Sequence, residues 1–321
     1  MCFSQAVLTQ EHIIPQGLGG RLKAPLLCKA CNSTLGSTID AEIERCIGPI
    51  ATLLDVTKEK SKNRPVSIID LDTGAELSHD GKGIGRKGPI VSKELTEDGK
   101  KLKSAEVRGA SKREVEKIVR GLAQKYGFPE KQEITEIHHT PPSNTKLTIQ
   151  FDSRAIRRAI AKICYGLLCV KMAADFVLCS YFDTLRAYIR NDTGPDLAEI
   201  NFRDTRFMTD YARPLHRVHI TFSRQTHQVL GIVMLFGIFR YVAVLSRTFE
   251  SYCDWPDLDY VFDPLSGKEL SLSLIPPGAS GALSEKAIPW EVDPSRGWKM
   301  LEGYVKDFRF KKIRLPAAED G

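Results

Sequence analysis

Residues 9–43 read TQEHIIPQGLGGRLKAPLLCKACNSTLGSTIDAEI. An acid stands beside a histidine at Glu11-His12, ahead of the short apolar run Ile13, Ile14 and Pro15. Gly17, Gly19 and Gly20 mark a turn, since glycine accepts backbone angles that other residues avoid. A second apolar run, Leu26 and Leu27, enters Cys28-Lys29-Ala30-Cys31-Asn32, and Gly36 precedes a candidate helix bearing Asp40 and Glu44. This order predicts a compact strand, turn, strand and helix. The unit gathers an imidazole, hard carboxylate oxygens and a thiolate pair.

Those groups suit hydrolysis of a phosphodiester. A neutral imidazole, with an ordinary pKa of about 6.5, can take a proton from water near neutral pH. A hard divalent ion held by carboxylates supplies positive charge to the phosphate and leaving oxygens. On an extended strand Glu11 and His12 point to opposite faces. One site therefore requires a bend, which the glycine-rich turn would allow, or a phosphate that reaches both. Asp40 and Glu44 are four apart and share a helix face, which makes Glu44 a reserve ligand. Each residue also has a plainer reading: a structural histidine, a solvated Glu11, and an Asp40 that favours a helix dipole.

The sequence Glu-His, Ile-Ile-Pro, Leu-Gly-Gly, Cys-x-x-Cys-Asn resembles the HNH endonucleases, whose fold is the ββα-metal finger. The resemblance covers about residues 1–50. It implies that His12 is the general base and Glu11 a metal ligand. Asn32 would be the middle asparagine, pinning the loop and orienting His12 through its amide. Asp40 would be the second ligand, at a position more often filled by His or Asn. The implied cofactor is a divalent ion, magnesium, manganese or another transition metal, and the implied partner is DNA. Restriction or defence against foreign DNA is the common setting, with a homo-oligomer or a defence partner subunit as company. Cys28 and Cys31 have the spacing of half a tetrahedral zinc site. Relatives commonly add a second Cys-x-x-Cys just before the Glu-His. Here Cys2 is the upstream candidate and Cys46 a further one; the alternative is two buried thiols packing as small apolar groups.

The chain has 321 residues, enough for two domains or one large domain with an appendage. Its 42% hydrophobic and 27% charged content is that of an ordinary globular protein. With 46 Lys and Arg against 40 Asp and Glu, the net charge is +6, compatible with nucleic acid without proving it. The 8 cysteines are scattered, and without a secretory signal they are expected to be reduced in a cytoplasm.

Further along, Val66–Leu71 predicts a strand, and residues 78–103, rich in Gly and Lys, predict either a basic loop that grips phosphate or a solvated hairpin or linker. Ser111–Tyr126 predicts a helix capped by Ser111 with Glu114 three residues on. His138-His139 lies in a proline-flanked loop. Lys146–Phe151 predicts a strand, and Asp152 or Ser153 caps a helix from Arg154 to about Leu178 that is apolar on most sides. At its start Arg154, Arg157, Arg158 and Lys162 share one side and, with Arg21, are candidate nucleic-acid contacts; the stripe would otherwise be a solvated face. A short helix is expected over 182–189. Residues 215–247 predict antiparallel strands; the apolar run 229–245 is interrupted by Arg240 and is too short for a membrane span. His216, His219 and His227 read as structural or substrate-contacting. The tail from Trp255 reads as irregular, ending in the basic aromatic stretch Phe308–Arg314.

The expected architecture is α+β: an N-terminal ββα-metal finger (1–60), a strand with a Gly/Lys-rich linker or hairpin (61–110), and a larger mixed domain (111–321) with a central helix and an antiparallel sheet that positions substrate or partner. Metal-dependent DNA hydrolysis is the leading functional expectation. A non-catalytic zinc-knuckle nucleic-acid binder competes with it, and an RNA-directed nuclease is a third reading.

Overall fold

The computed structural model of the chain describes residues 7–60, 62–72, 74–86, 89–108, 112–127, 145–201, 214–251 and 255–270. Cys2, His138, His139, Phe308–Arg314 and the tail beyond residue 270 lie outside the described residues. The chain forms two compact units, residues 1–63 with 149–321, and residues 64–148. The N-terminal finger thus shares a unit with the C-terminal half, where the linear pattern had suggested a module of its own.

Strand β1 (Leu8–His12) pairs antiparallel with β2 (Lys23–Cys28), and a single 3-10 turn at Gln16–Leu18 lies between them. β2 runs into α1 (Lys29–Leu35), a π-helical turn (Gly36–Asp40) and α2 (Ala41–Leu53). The expected order of elements is present. Ile13, Ile14, Leu18, Leu27, Ile39 and Ile43 are buried, so the two apolar runs and one helix face close over a common interior.

In the second unit, β3 (Val66–Asp70), β4 (Glu76–His79) and β5 (Ile84–Arg86) pair in sequence. β6 (Ile90–Leu95) and β7 (Leu102–Arg108) form a two-stranded hairpin, α3 (Lys112–Tyr126) follows, and β8 (Thr145–Lys146) returns to β3. The Gly/Lys-rich stretch is therefore folded into hairpins over its described residues. β8 stops at Lys146 because only Ile69 and Asp70 of β3 face it.

The first unit resumes with α4 (Arg154–Lys171), where Ser153 Oγ accepts the Ile156 N–H, a cap worth about 1 kcal/mol. The helix expected to reach Leu178 breaks at Met172, which is extended, and restarts as α5 (Ala174–Leu178). Tyr165 Oη and the Arg186 guanidinium both donate to Val177 O, at 2.6 and 2.8 Å, and hold α5 in its offset position. After α6 (Asp183–Asn191) come β9 (Ala198–Ile200), β10 (His216–Ser223), β11 (Gln228–Leu235), β12 (Phe239–Ser246), β13 (Leu258–Asp263) and β14 (Lys268–Leu270). They form one six-stranded sheet in the order β14-β13-β10-β11-β12-β9, every pair antiparallel. The apolar run 229–245 is β11 and β12, and no helix among the described residues is long and apolar enough to cross a membrane.

Helix α4 is apolar on most sides because it is covered on two. On the sheet side a Cβ at Gly231 would lie 2.5 Å from Cys164 Sγ, so the missing side chain lets the helix approach β11. On the finger side a Cβ at Gly166 would lie 3.1 Å from Ile13 Cδ1. His216 adds a polar tie: its Nδ1 accepts the Phe236 N–H at 3.2 Å, and its Nε2–H donates to Leu18 O at 2.9 Å. The turn of the finger is thus bonded to β10 of the sheet. Burial pushes the His216 pKa down to about 4, so the ring is neutral at physiological pH.

Candidate active site

The finger is not a regular hairpin. Its register shifts between Thr9 and Gln10, where Gln10 faces Pro25, a residue with no N–H to donate. Asn32 Nδ2 donates to Gln10 O at 3.2 Å and to Thr9 Oγ1 at 2.9 Å, and Thr9 Oγ1 donates onward to Leu27 O at 2.8 Å. The irregularity lies inside β1 ahead of both Glu11 and His12, and it does not bring their side chains to one face. Asn32 fixes the backbone two residues before His12; its amide goes there and not to the imidazole.

The glycine turn is held from α2. Gly17 N–H donates to Glu44 Oε1 at 2.6 Å, which corrects the reserve-ligand reading of Glu44: its carboxylate anchors the turn. A Cβ at Gly20 would lie 1.9 Å from Ile14 O, and Gly19 has φ +92°. No larger residue fits the first position, and only a glycine takes the second without strain.

Glu11 and His12 face opposite sides of β1, as strand geometry requires. Glu11 is 5% exposed and meets the Lys162 ammonium of α4, itself 3% exposed. The same ammonium donates to Asp40 Oδ2 at 2.5 Å. Asp40 closes the π-helical turn, a feature that aims side chains away from regular helix positions and recurs at functional sites. Its second oxygen, Oδ1, is buried without a hydrogen-bond partner among the described residues. Burial raises the Glu11 pKa, and the Lys162 charge opposes that rise.

On the other face His12 Nε2 lies 3.4 Å from Glu59 Oε2. Glu59 also accepts from Lys23 Nζ at 2.7 Å and faces Arg21 at 3.6 Å, and Arg21 donates to Thr57 O at 2.8 Å. The Lys23 bond is the main reason that the Glu59 carboxyl is held down at about 2. Partial burial lowers the His12 pKa, against the opposing pull of Glu59. The imidazole is then neutral at physiological pH, and with Nε2–H given to Glu59 its Nδ1 keeps a free lone pair. A carboxylate so placed can orient the imidazole for proton transfer.

Glu59 carried no signal in the sequence, since it sits among Lys58, Lys60 and Lys62 in a stretch that reads as a charged exit. Lys162, a candidate nucleic-acid contact by its spacing, faces inward. It is buried between two carboxylates and presents no charge to DNA. The arginines of the same stripe are likewise engaged inside the unit. Arg154 binds Asp192 and Asp196 at 2.6 and 2.5 Å, and Arg157 binds Asp152 and Asp196, both at 2.7 Å. Arg158 donates to Tyr188 O and Ile189 O at 3.1 and 2.8 Å, satisfying carbonyls at the end of α6. The stripe is an internal clamp on the α6–β9 connection. Arg21 alone of the five stands beside His12.

Glu11 and Asp40 converge on one cation position, with one carboxylate oxygen unsatisfied. Two carboxylates suit a magnesium-like ion, which completes its shell with water and substrate phosphate, once the ammonium leaves. Among the described residues no three or more His, Cys, Asp or Glu side chains are grouped to hold a metal ion. Cys28 and Cys31 form no disulfide and have no third ligand in that set. Cys46 is buried in α2 with its thiol directed at Glu42 Oε1, 3.6 Å away, so it does not complete a zinc site.

Compared with known proteins, the chain matches no curated protein and no solved structure at a significant level. Residues 2–47, the segment that holds β1, the glycine turn, β2, the Cys-x-x-Cys-Asn and Asp40, match the family of HNH endonucleases.

Proposed function

We propose that the chain is a metal-dependent endonuclease that hydrolyses DNA phosphodiester bonds at the N-terminal finger. The observation that carries this is the convergence of Glu11 and Asp40, from β1 and the π-helical turn, on a single cation position, with Asp40 Oδ1 unpartnered. A divalent ion held there supplies Lewis-acid stabilisation of the phosphate oxygens. His12, neutral and oriented by Glu59, takes the proton of the attacking water. Arg21 and Lys23 set positive charge beside the imidazole, which draws the phosphate backbone to that side.

The bridging ammonium favours a second reading, in which the buried ion triplet is scaffold and the finger only binds nucleic acid. Digestion of supercoiled plasmid with magnesium or manganese, and with chelator, separates the two for wild type and His12→Ala. Metal-dependent nicking or linearisation lost in the variant supports hydrolysis. Retarded but intact plasmid with both proteins refutes it. Single-stranded RNA in the same assay distinguishes an RNA substrate.

A further inference from the structure

Lys162 lies far outside the matched finger, on α4, and its position is built in by packing. One turn further along the helix, Gly166 admits Ile13 of the finger, and Cys164 seats the opposite face on Gly231 of β11. The helix backbone is therefore fixed, while the lysine side chain keeps four rotatable bonds. Its ammonium is 3% exposed and lies between Glu11 and Asp40. Two ionised carboxylates and one ammonium leave a buried charge of minus one, and among the described residues Asp40 Oδ1 has no donor. A divalent ion at the same place would bring the sum to zero and give that oxygen a ligand bond. A buried carboxylate pair without any cation is strongly unfavourable and would take up a proton; the ammonium lets both carboxylates stay ionised when the metal is absent.

We propose that Lys162 is the internal counter-ion of the metal site: its ammonium holds Glu11 and Asp40 together in the ion-free protein, and a divalent metal binds by displacing it. This rests on Glu11 and Asp40 being the metal ligands. Ammonium and metal compete for the same place between the two carboxylates, so each lowers the occupancy of the other. Lys162 is thus a positioning residue: it keeps the site assembled and raises the metal concentration needed to fill it. The α4 lysine makes metal loading depend on the C-terminal half of the chain, which lies outside the family match.

Mn2+ binding, read from the loss of the free-ion electron paramagnetic resonance signal, tests this on the full chain. The proteins are wild type, Lys162→Met, Lys162→Arg and Glu11→Gln. Removal of the charge in Lys162→Met is expected to tighten Mn2+ binding by about tenfold or more. Lys162→Arg, which keeps the charge, gains nothing, and Glu11→Gln loses the site. Unchanged or weaker binding by Lys162→Met, with binding still dependent on Glu11, overturns displacement and leaves the metal-site reading intact. Mn2+ binding that is absent, or indifferent to Glu11→Gln, overturns the metal-site reading and displacement with it. Should Lys162→Met fail to fold, lysine-ammonium NMR of the wild type decides. The slowly exchanging Lys162 signal, assigned by its absence from Lys162→Arg, disappears or shifts at saturating Mg2+ if the ammonium is displaced. A signal that persists unchanged overturns the proposal.

Discussion

Acidification should weaken the fold through one residue in particular, His216. Its imidazole accepts from Phe236 N–H and donates to Leu18 O, so it is bonded as a neutral ring to both the β11–β12 turn and the glycine turn of the finger. Burial lowers its pKa from the ordinary 6.5 to about 4. The unfolded chain therefore takes up a proton in a range where the folded chain does not. Stability is fully present above the unfolded value and is lost as pH falls from 6.5 towards 4. The difference amounts to about 3 kcal/mol by proton linkage. Urea denaturation at a series of pH values from 7 to 4 measures it, on wild type and on His216→Gln, whose amide can also donate and accept without titrating. The gap between the two curves should change by about 3 kcal/mol across that range, the wild type losing more. Parallel curves would refute the assignment of a neutral, doubly bonded His216.

Three further outcomes follow from particular contacts. Gly20→Ala forces a Cβ to within 1.9 Å of Ile14 O and should destabilise the fold by about 3 kcal/mol in chemical denaturation. Arg21→Ala should reduce the slope of log DNA affinity against log salt by about one, whereas Arg157→Ala, whose guanidinium binds Asp152 and Asp196, should leave that slope unchanged. Glu59→Gln should lower kcat for plasmid cleavage by about tenfold, because His12 loses a charged orienting partner; an unaltered kcat would remove Glu59 from the site.

The parts of the fold that were legible in the sequence are those written in local pattern. Ile13-Ile14, the glycines and Leu26-Leu27 give two strands about a turn, and the alternation from His216 to Thr221 gives β10. The nearly continuous apolar centre of α4 gives a helix covered on both sides. The candidate site was legible only where its residues are neighbours in sequence. Glu11, His12 and Asp40 all lie in one short segment, and the structure brings the two carboxylates together. Lys162 reaches Asp40 across 122 residues, and no periodicity encodes that meeting. The same holds for the arginine stripe: spacing put Arg154, Arg157 and Arg158 on one side of a helix, but their partners Asp192 and Asp196 come from a separate connection. Asn32 shows a subtler limit. Its role in holding the finger was expected, but the need it meets arises from Pro25 facing Gln10, which only the strand register reveals.

The most direct measurement is the anomalous diffraction of a crystal soaked in Mn2+. The expected result is a single strong peak about 2.1 Å from oxygens of both Glu11 and Asp40, with the Lys162 ammonium withdrawn from them. Glu11 and Asp40 still bridged by Lys162 at saturating Mn2+, with the ion bound elsewhere or nowhere, would contradict the account.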